Sequence, residues 1–358
     1  MKIISIVGAR PQFIKSAIIS KLLRKYHNEV IIHTGQHYNK ELSDIFFNQL
    51  KIPEPNYNLG VGSGSHGYQT GNMLIKIEEV MIKEKPDFVI IYGDTNSTVS
   101  AILASSKLKI PSGHVEAGLR NFDLAIPEEI NRIVTDHLAT FLFAPTNTAI
   151  VNLRNEGLID NVFLTGDVMF DMLLQNIEIA NEKSNILNEL NLKEKEYILA
   201  TIHRPENTDI PHNLSNIFNA FKSSKEKIVI PLHPRTIKEL KRNSINIKSF
   251  HNLTITKPKG YLDFLKLLIN AKKVITDSGG IQKEAYLLKI PCITIYDSTS
   301  WVETVKDGWN ILVKAEKGEI VNAINSFNPN GKQGNYFGDG NSSIKIVELI
   351  NKFLNSRI

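Results

Sequence analysis

The feature that most constrains this chain is a regular alternation of short apolar runs with segments of helical periodicity. Ile3–Val7 is an apolar run rich in β-branched residues, which is typical of a strand buried on both faces. Similar runs recur along the chain, and helix-period segments fill the intervals between them. Such alternation predicts a parallel sheet covered by helices on both faces. Because the pattern restarts after a helical connection at Val168–Leu190, we expect two such sheets.

The predicted fold class is therefore α/β, with two Rossmann-like doubly wound domains and a central cleft. The domains are expected at 1–167 and 168–341, and a C-terminal helix at 342–358 follows them. Predicted strands are Ile3–Val7, Glu29–Thr34, Asp87–Tyr92, Ser112–Val115, Thr140–Ala144, Asn161–Thr165, Tyr197–Thr201, Lys227–Leu232, Leu253–Thr256, Lys272–Thr276, Cys292–Tyr296 and Asn310–Val313. Predicted helices between them include Lys40–Leu50 and Thr70–Lys85, and the Gly-rich stretch Pro53–Gly71 is expected to be a long loop.

Composition excludes several classes of protein. The 358 residues carry a net charge of +5 spread along the chain, which favours mild attraction for anionic ligands over a nucleic-acid surface. We find no apolar run long enough to cross a membrane, and the N-terminus is interpreted as a strand and not as a signal peptide. The single cysteine, Cys292, is expected in a buried strand and has no disulfide partner. These points predict a cytoplasmic protein that binds neither nucleic acid nor membrane.

A Gly-rich turn in Thr276–Ala285, TDSGGIQKEA, is a candidate diphosphate site. It follows a predicted buried strand and opens a helix, so backbone N–H groups and the helix dipole face an approaching anion. Ser278, Gly279 and Gly280 form the turn. Glu284 follows about one and a half turns later and is placed to accept hydrogen bonds from sugar hydroxyls. The alternative is an ordinary strand–helix turn that binds nothing.

Polar residues also follow the predicted strands of the first half. Arg10 and Lys15 come after the first strand and are suited to a phosphate or a carboxylate. Asp94 follows the third strand and either caps the next helix or acts on a substrate. Glu116 leaves a buried strand, where a carboxylate is costly unless it is used or paired. Glu128 opens a later helix and has a helix-terminal role as its alternative.

Two clusters that contain histidine follow strands of the second half. His203 lies in the segment TIHRPEN, Thr201–Asn207, at the end of the predicted strand Tyr197–Thr201, and His233 with Arg235 follows the next strand. Metal binding is a poor account of these residues because the chain has no Cys/His ligand spacing. A dehydrogenase and a P-loop ATPase are equally unsupported, since neither Gly-x-Gly-x-x-Gly nor the Walker A motif is present.

The ordered motifs GARPQFIK, YGDTNST, HVEAGLR, PEEINR, TIHRPEN, PLHPR and TDSGGIQKEA resemble those of the non-hydrolysing UDP-N-acetylglucosamine 2-epimerases. The resemblance runs from residue 1 to about residue 315. It implies two Rossmann-like domains of the glycosyltransferase-B type, with the C-terminal helix packed on the first domain. It also implies a homodimer, a UDP-sugar substrate, and no metal or redox cofactor.

The resemblance further implies a role for each matching residue. The catalytic set it implies is Asp94, Glu116, Glu128 and His203. The substrate and UDP contacts it implies are Arg10, Lys15, His233, Arg235, Phe264 (near uracil), Ser278, Gly279, Gly280, Glu284 (on the ribose) and Glu303. Which carboxylate removes the proton from C2 is left open by the sequence.

The chain departs from the commonest family pattern at three places. Thr299–Glu303 reads TSWVE where many members have Thr-Glu-Arg-Pro-Glu, and Gln12 replaces a Glu. At both places the residues are similar to those of the subgroup that acts on UDP-2,3-diacetamido-2,3-dideoxy-glucuronate. Gln36-His37-Tyr38 differs from the Gln-His-Arg of members that UDP-GlcNAc activates, which predicts weak or absent activation. Alternatives are a hydrolysing 2-epimerase that releases UDP and free ManNAc, a glycosyltransferase-B enzyme that needs an acceptor, and a nucleotide-sugar sensor without turnover.

Overall fold

The computed structural model describes residues 1–35, 53–329 and 331–357. The chain divides into two compact units. The first unit is Met1–Leu174 with Asn335–Ile358, and the second unit is Gln175–Gly334. Each unit holds one parallel sheet with helices against it, so the predicted α/β class with two Rossmann-like sheets is confirmed.

The sheet of the first unit has the strand order β3-β2-β1-β4-β5-β6-β7 among the described residues. All neighbouring strands are parallel. The order reverses between β1 and β4, and such a switch point is where open α/β sheets bind ligands, outside the carboxyl ends of the strands. The strands are β1 Lys2–Val7, β2 Asn28–His33, β3 Tyr57–Asn58, β4 Phe88–Tyr92, β5 Ser112–Val115, β6 Phe141–Ala144 and β7 Val162–Leu164.

The sheet of the second unit repeats this plan, with the order β10-β9-β8-β11-β12-β13 and parallel pairing throughout. Its switch point lies between β8 and β11, where Thr201 pairs with Thr276. The strands are β8 Tyr197–Thr201, β9 Lys227–Pro231, β10 Leu253–Thr256, β11 Lys273–Thr276, β12 Cys292–Ile295 and β13 Asn310–Val313.

The helices lie between these strands in chain order. Those that begin in the first part of the chain are α1 Arg10–Leu23, α2 His66–Glu84, α3 Asn96–Lys107, α4 Pro127–Leu138, α5 Asn147–Asn155 and α6 Val168–Lys183. Those that follow are α7 Ile186–Glu189, α8 Pro205–Thr208, α9 Pro211–Ser223, α10 Pro234–Arg242, α11 Tyr261–Ile269, α12 Gly279–Leu287, α13 Val302–Lys306, α14 Lys317–Ser326 and α15 Ser342–Asn355. A short 3₁₀ helix covers Ile247–Ser249.

The continuous apolar runs of the strands are explained by burial on both faces of each sheet. In β8, Ile198 and Ala200 belong to one buried cluster, whereas Tyr197 and Leu199 belong to the cluster on the opposite face. Since successive strand side chains point to opposite faces, both faces need apolar residues. Cys292 is buried in β12, as the sequence predicted.

The C-terminal helix α15 packs within the first unit. Its Phe353 ring meets Phe141 edge-on at 4.8 Å and Phe88 at 5.9 Å between ring centroids. Asp171 of α6 fixes the start of the helix, because its carboxylate accepts the backbone N–H groups of Ser342 and Ser343 at 3.1 and 2.7 Å. A carboxylate at this position satisfies N–H groups that the helix itself leaves without partners.

The prediction of a long loop over Pro53–Gly71 is wrong in two respects. Tyr57–Asn58 forms an edge strand against β2, and helix α2 begins at His66, four residues before the predicted start. Ser65 caps this helix by accepting the N–H of Tyr68. The predicted helix Lys40–Leu50 and the segment Gln36-His37-Tyr38 lie outside the described residues. In the part of the chain that the structure describes, none of the helices has the length and hydropathy needed to cross a membrane.

Candidate active site

Gln12 joins the two loops at the switch point of the first sheet. Its side-chain oxygen accepts the backbone N–H groups of Gly8 and Ala9 at 2.8 and 3.0 Å. Its amide nitrogen donates to the carbonyl of Tyr92 at 2.8 Å and to the hydroxyl of Thr98 at 3.0 Å. An amide both accepts and donates, which an ionised carboxylate cannot do, so the Gln at this position fixes the loop after β1 to the loop after β4.

Lys15 and Glu116 form an ion pair beside the turn at Gly93. Lys15 is buried on α1, and its ammonium nitrogen contacts Glu116 Oε2. Gly93 has a φ of +62°, and a Cβ atom there would lie 3.6 Å from Lys15 Nζ and 3.7 Å from Glu116 Oε2. Glu116 itself has a φ of +79°, a conformation that is uncommon for residues other than glycine. The predicted cation and one predicted carboxylate therefore lie together.

Asp94 is held by helix α4. Its carboxylate Oδ2 accepts a hydrogen bond from Arg132 at 2.7 Å, and its backbone carbonyl accepts one from Asn131 at 2.9 Å. The buried Glu129 binds the same Arg132 guanidinium at 2.7 Å and also accepts the backbone N–H of Asn121. One third of the Asp94 side chain stays exposed, so this carboxylate is open to a ligand.

The motif PEEINR thus has two parts with different roles. Glu129, Asn131 and Arg132 position Asp94, a function that the sequence analysis did not assign to them. The sequence did contain a sign of this ion pair, because Glu129 and Arg132 have the i, i+3 spacing that places two side chains on one helix face. Glu128 is exposed in the first turn of α4, where a carboxylate interacts favourably with the helix N-terminus. Arg10 is the first residue of α1.

His203 and Asp277 face each other across the switch point of the second sheet. His203 Nδ1 lies 3.0 Å from Asp277 Oδ1, and Asp277 also accepts the backbone N–H groups of His203 and Arg204 at 2.9 Å. Burial raises the pKa of Asp277, but the hydrogen bond and charge of His203 and the backbone N–H groups outweigh it and hold the pKa below its ordinary value. An ionised Asp277 therefore orients the imidazole.

His233 lies next to His203, with 5.7 Å between the ring centroids. It caps α10, since its Nδ1 accepts the backbone N–H of Arg235 at 3.2 Å. With Nδ1 acting as an acceptor, Nε2 carries the proton of the neutral ring and is a donor for an anion. Arg235 makes a two-point ion pair with Asp209, at 2.9 and 2.6 Å. About 44% of the Arg235 side chain remains exposed.

The SGG turn opens α12 as the sequence predicted. Ser278 is the N-cap residue, and Gly279 and Gly280 are the first two helical residues. Trp301 lies beside this turn, because a Cβ on Gly279 would be 3.6 Å from the indole nitrogen. The buried ammonium of Lys283 sits 4.0 Å from the centre of the same indole ring, a cation–π contact. The Trp of the TSWVE segment therefore borders the predicted diphosphate site.

Glu303 is 3% exposed, and among the described residues neither of its carboxylate oxygens has a hydrogen-bond partner. A buried carboxylate without partners is costly, so donors of a ligand are the expected partners. Glu284 is also buried, on α12. Phe264 is 6% exposed and packs in the apolar cluster with Leu267 and Val274, so most of its ring is core.

Each unit thus places a polar cluster at the switch point of a parallel sheet, which defines an enzyme of the α/β class. Comparison with known proteins specifies the class further. Residues 21–351 match the family model described as UDP-N-acetylglucosamine 2-epimerase. This chain belongs to the UDP-N-acetylglucosamine 2-epimerase family, whose members are isomerases, as the motifs predicted.

Three relatives show how far the similarity extends. The chain is 58% identical to the UDP-N-acetylglucosamine 2-epimerase homolog of Methanococcus maripaludis, over 98% of this chain and 99% of that protein. It is 43% identical to the UDP-2,3-diacetamido-2,3-dideoxy-D-glucuronate 2-epimerase of Pseudomonas aeruginosa, over 98% and 100%. The crystal structure of the Methanocaldococcus jannaschii UDP-GlcNAc 2-epimerase with UDP-GlcNAc and UDP matches with a TM-score of 0.92 and 45% identity, over 98% and 100%.

Proposed function

We propose that this protein inverts C2 of a UDP-2-acetamido sugar to the manno configuration by eliminating UDP and adding it back. The observation that carries the proposal is the convergence of Asp94, Glu116 and Lys15 on the turn at Gly93, in a chain of the 2-epimerase family. Elimination at C1 and C2 needs carboxylates for the proton and cations for the leaving group. The product would serve synthesis of a cell-surface polysaccharide.

The chemistry explains why carboxylates are needed at this turn. No carbonyl adjoins C2 in the sugar ring, so its hydrogen is not acidic. Loss of UDP from C1 builds positive charge at C1 and acidifies that hydrogen. A carboxylate then takes the C2 proton, the C1–O bond breaks with its electrons on UDP, and a 2-acetamidoglucal forms. Return of UDP to C1 and of a proton to the opposite face of C2 completes the inversion.

The first-unit cluster offers two carboxylates for this work, in different settings. Glu116 is paired with Lys15, and Asp94 is paired with Arg132. Both carboxylates thus have a cationic partner that holds them in place beside the Gly93 turn. Glu128 is the third predicted catalytic carboxylate and is exposed at the start of α4. The proton at C2 is assigned to this set of three and not to one member.

The second-unit cluster supplies the groups that a diphosphate leaving group needs. The backbone N–H groups at the start of α12, the ring N–H of His233 and the partly exposed guanidinium of Arg235 are suited to phosphate oxygens. His203, oriented by Asp277, is the catalytic imidazole of the proposal. Arg10 belongs to the same proposed diphosphate contacts by its place in the GARP motif, Glu284 to the ribose and Phe264 to the uracil. The reaction as written uses neither a metal nor a redox cofactor.

A proton NMR time course in D2O tests the proposal directly. Incubation with a UDP-2-acetamido sugar should exchange the C2 hydrogen and produce a manno-configured anomeric signal. Free UDP together with free sugar would instead support the hydrolysing alternative, and turnover only with an added acceptor would support a glycosyltransferase. Glu116→Gln should abolish the exchange. Asp123→Asn, in an exposed loop where the carboxylate accepts the N–H of Ala125, is the matched control.

The sugar is proposed to be UDP-GlcNAc or its 2,3-diacetamido-glucuronate derivative. Overall identity supports the two equally, since the relatives named for these substrates are 45% and 43% identical to the chain. The specific support for the second comes from Trp301 beside Gly279. Trp301 stands at the position of the Arg in the common Thr-Glu-Arg-Pro-Glu segment, so it alters the pocket around the sugar. Parallel incubations with both UDP-sugars, compared by kcat/KM, decide between them.

A cytoplasmic homodimer is the proposed state of the enzyme. One exposed apolar stripe supports self-association: Tyr68, Ile75 and Ile82 of α2 are each more than half exposed. Their seven-residue spacing places them along one face of the helix. Light scattering should give twice the chain mass of 40.3 kDa, and a monomer at assay concentration would remove the dimer from the proposal.

A further inference from the structure

His114 is a fully buried histidine below the turn that carries the candidate catalytic residues. It lies on β5, two residues before Glu116, and is 0% exposed. Its Nε2 is 2.7 Å from the backbone carbonyl of Gly93, and its Nδ1 is 2.6 Å from Oδ1 of Asp136 on α4. His114 has no part in the mechanism proposed above.

The two partners of His114 define its protonation state. A backbone carbonyl only accepts hydrogen bonds, so Nε2 must carry a proton. An ionised Asp136 also only accepts, so Nδ1 must carry a second proton. Burial raises the pKa of Asp136, but the charges and hydrogen bonds of His114 and Arg120 outweigh it and hold the pKa below its ordinary value. With Asp136 ionised, the ring of His114 is the imidazolium ion.

A buried imidazolium requires compensating charge, and the structure provides it. Asp136 Oδ2 accepts from Arg120 at 2.7 Å and from the backbone N–H of Gly118 at 3.0 Å. Arg120 in turn makes a two-point ion pair with Glu156, at 2.7 Å for each bond. Two cations and two anions therefore alternate from His114 to Glu156. Such a balanced and fully hydrogen-bonded set is the form in which buried charge is tolerated.

The carbonyl that His114 holds belongs to the peptide bond between Gly93 and Asp94. Gly93 also donates its N–H, which belongs to the preceding peptide, to the carbonyl of Val115 at 3.1 Å, so β5 holds the backbone on both sides of Gly93. On its other side, the Gly93 turn meets the charged groups of Lys15 and Glu116. We infer that His114 is a positioning residue in its imidazolium form, which sets the Gly93–Asp94 peptide and thereby the placement of Asp94 beside Glu116.

The protonation state is tested on the wild-type protein, independently of any activity. The protein is produced with ¹⁵N-labelled histidine for NMR. The His114 signals are those that are present in the wild-type spectrum and missing from the spectrum of His114→Gln. At neutral pH both ring nitrogens of His114 should resonate in the protonated range, and the exposed His212 provides a reference signal in the same spectrum. One unprotonated nitrogen in His114 would overturn the inference, whatever the protein catalyses.

The positioning role rests on the proposed epimerase activity and is tested by kinetics. His114→Gln keeps only one of the two donors in place, so kcat should fall about 10²-fold with little change in KM, the effect of misplaced catalytic groups. Wild-type kcat in a folded His114→Gln protein would overturn the role. His27→Gln, which replaces a partly buried histidine bonded to Asn351, should leave kcat unchanged.

Asp136→Asn gives a second test that does not alter His114 itself. With its oxygen kept on Arg120 and on the Gly118 N–H, the amide of the variant presents its NH₂ group to Nδ1, which must then accept. The ring is therefore neutral, with its proton on Nε2 facing the Gly93 carbonyl. The ¹⁵N spectrum of Asp136→Asn should show one protonated and one unprotonated nitrogen in His114, where the wild-type protein shows two protonated ones. The other titratable and charged groups around this network are Arg120, Glu156, His137, Lys15 and Glu116. Two protonated nitrogens in Asp136→Asn would show that Asp136 does not hold the ring as the imidazolium ion and would overturn the inference.

Discussion

The Asp277 carboxylate and the His203 imidazole form a directed pair, 3.0 Å apart through Nδ1. Asp277 is completely buried, whereas 40% of the His203 side chain is exposed. Because Nδ1 is engaged by the carboxylate, Nε2 is the ring nitrogen left for a substrate. The pair spans the point where the strand order of the second sheet reverses, which is where ligands bind in open α/β sheets.

Asp277→Asn should lower kcat about 10²-fold, because an amide fixes neither the orientation nor the charge of the imidazole as a carboxylate does. Its NH₂ group would also oppose the backbone N–H groups of His203 and Arg204. Steady-state kinetics with the UDP-sugar measure the effect. Asp339→Asn, which replaces an exposed carboxylate paired with Lys345, is the control. Equal kcat in the two variants would argue that Asp277 does not direct His203.

Arg132→Lys should reduce kcat about tenfold or more by releasing Asp94. The guanidinium contacts Asp94, Glu129 and Asn121 at once, from three nitrogens. An ammonium group has no such planar fork and cannot keep all three contacts. The measurement is kcat for Arg132→Lys beside Arg154→Lys, an exposed position on α5. A similar small loss in both variants would show that Asp94 does not depend on Arg132.

Gly118→Ala and Gly157→Ala separate two costs of replacing a glycine. Both residues have a left-handed backbone, with φ values of +82° and +80°. A Cβ at Gly157 meets nothing within 4 Å, so we expect a loss of only about 1–2 kcal/mol for the backbone conformation. A Cβ at Gly118 would lie 2.5 Å from the carbonyl oxygen of Ala149, which adds about 1–3 kcal/mol of overpacking.

Urea unfolding of the two glycine variants measures the difference. Gly118→Ala should also lower activity, because Gly118 donates its N–H to Asp136 in the network below the Gly93 turn. Equal destabilisation of the two variants would mean that the loop after β5 moves away from Ala149 at no cost.

Asp136 should contribute stability that depends on pH in one direction. Its pKa in the folded protein lies below the ordinary value of 3.8, so the unfolded chain binds the proton first as pH falls. The contribution is complete well above pH 3.8 and is lost as pH falls through the lowered pKa. Asp136→Asn should therefore destabilise the protein by about 3–5 kcal/mol at neutral pH, and this gap should narrow in acid. A gap of constant size from neutral to acidic pH would contradict it.

Cys292 should report unfolding of the second unit. The thiol is 0% exposed in β12, and burial raises its pKa to about 12. At pH 8 a thiol reagent should therefore modify the native protein only at the rate at which this region opens. Progressive addition of urea should accelerate the modification together with loss of circular dichroism. Rapid modification in buffer alone would show that β12 is accessible in the native protein.

The architecture could be predicted from the sequence because parallel strands and their helices leave clear local signals. The twelve predicted strands are present, with bounds that differ by one residue at most. Tyr57–Asn58 was missed because a two-residue edge strand is too short for any periodicity. The start of α2 was missed because His66 and Gly67 are weak helix formers, whereas the cap at Ser65 decides the boundary.

Only those residues of the candidate site could be predicted whose side chains are unusual at their position in the sequence. Asp94, Glu116 and His203 stand out as charged or titratable groups that leave apolar strands. Their supporting residues do not stand out, because Arg132 and Asp277 acquire their roles from contacts made 38 and 74 residues away in sequence. Gln12 was noticed as a departure from the family motif. Only its hydrogen bonds show that Gln12 connects the loop after β1 to the loop after β4.

The placement of α15 sets an order for folding during synthesis. The second unit, Gln175–Gly334, is complete before Ser342–Asn355 leaves the ribosome. The first unit begins earlier but lacks Phe353, so its Phe88 and Phe141 rings miss this contact until the last helix has been made. Domains usually fold as units from the N-terminus onward. In this chain the first unit is therefore synthesised first but completes its core last. A ribosome that stalls after residue 334 would leave the aromatic surface around Phe88 and Phe141 open to aggregation.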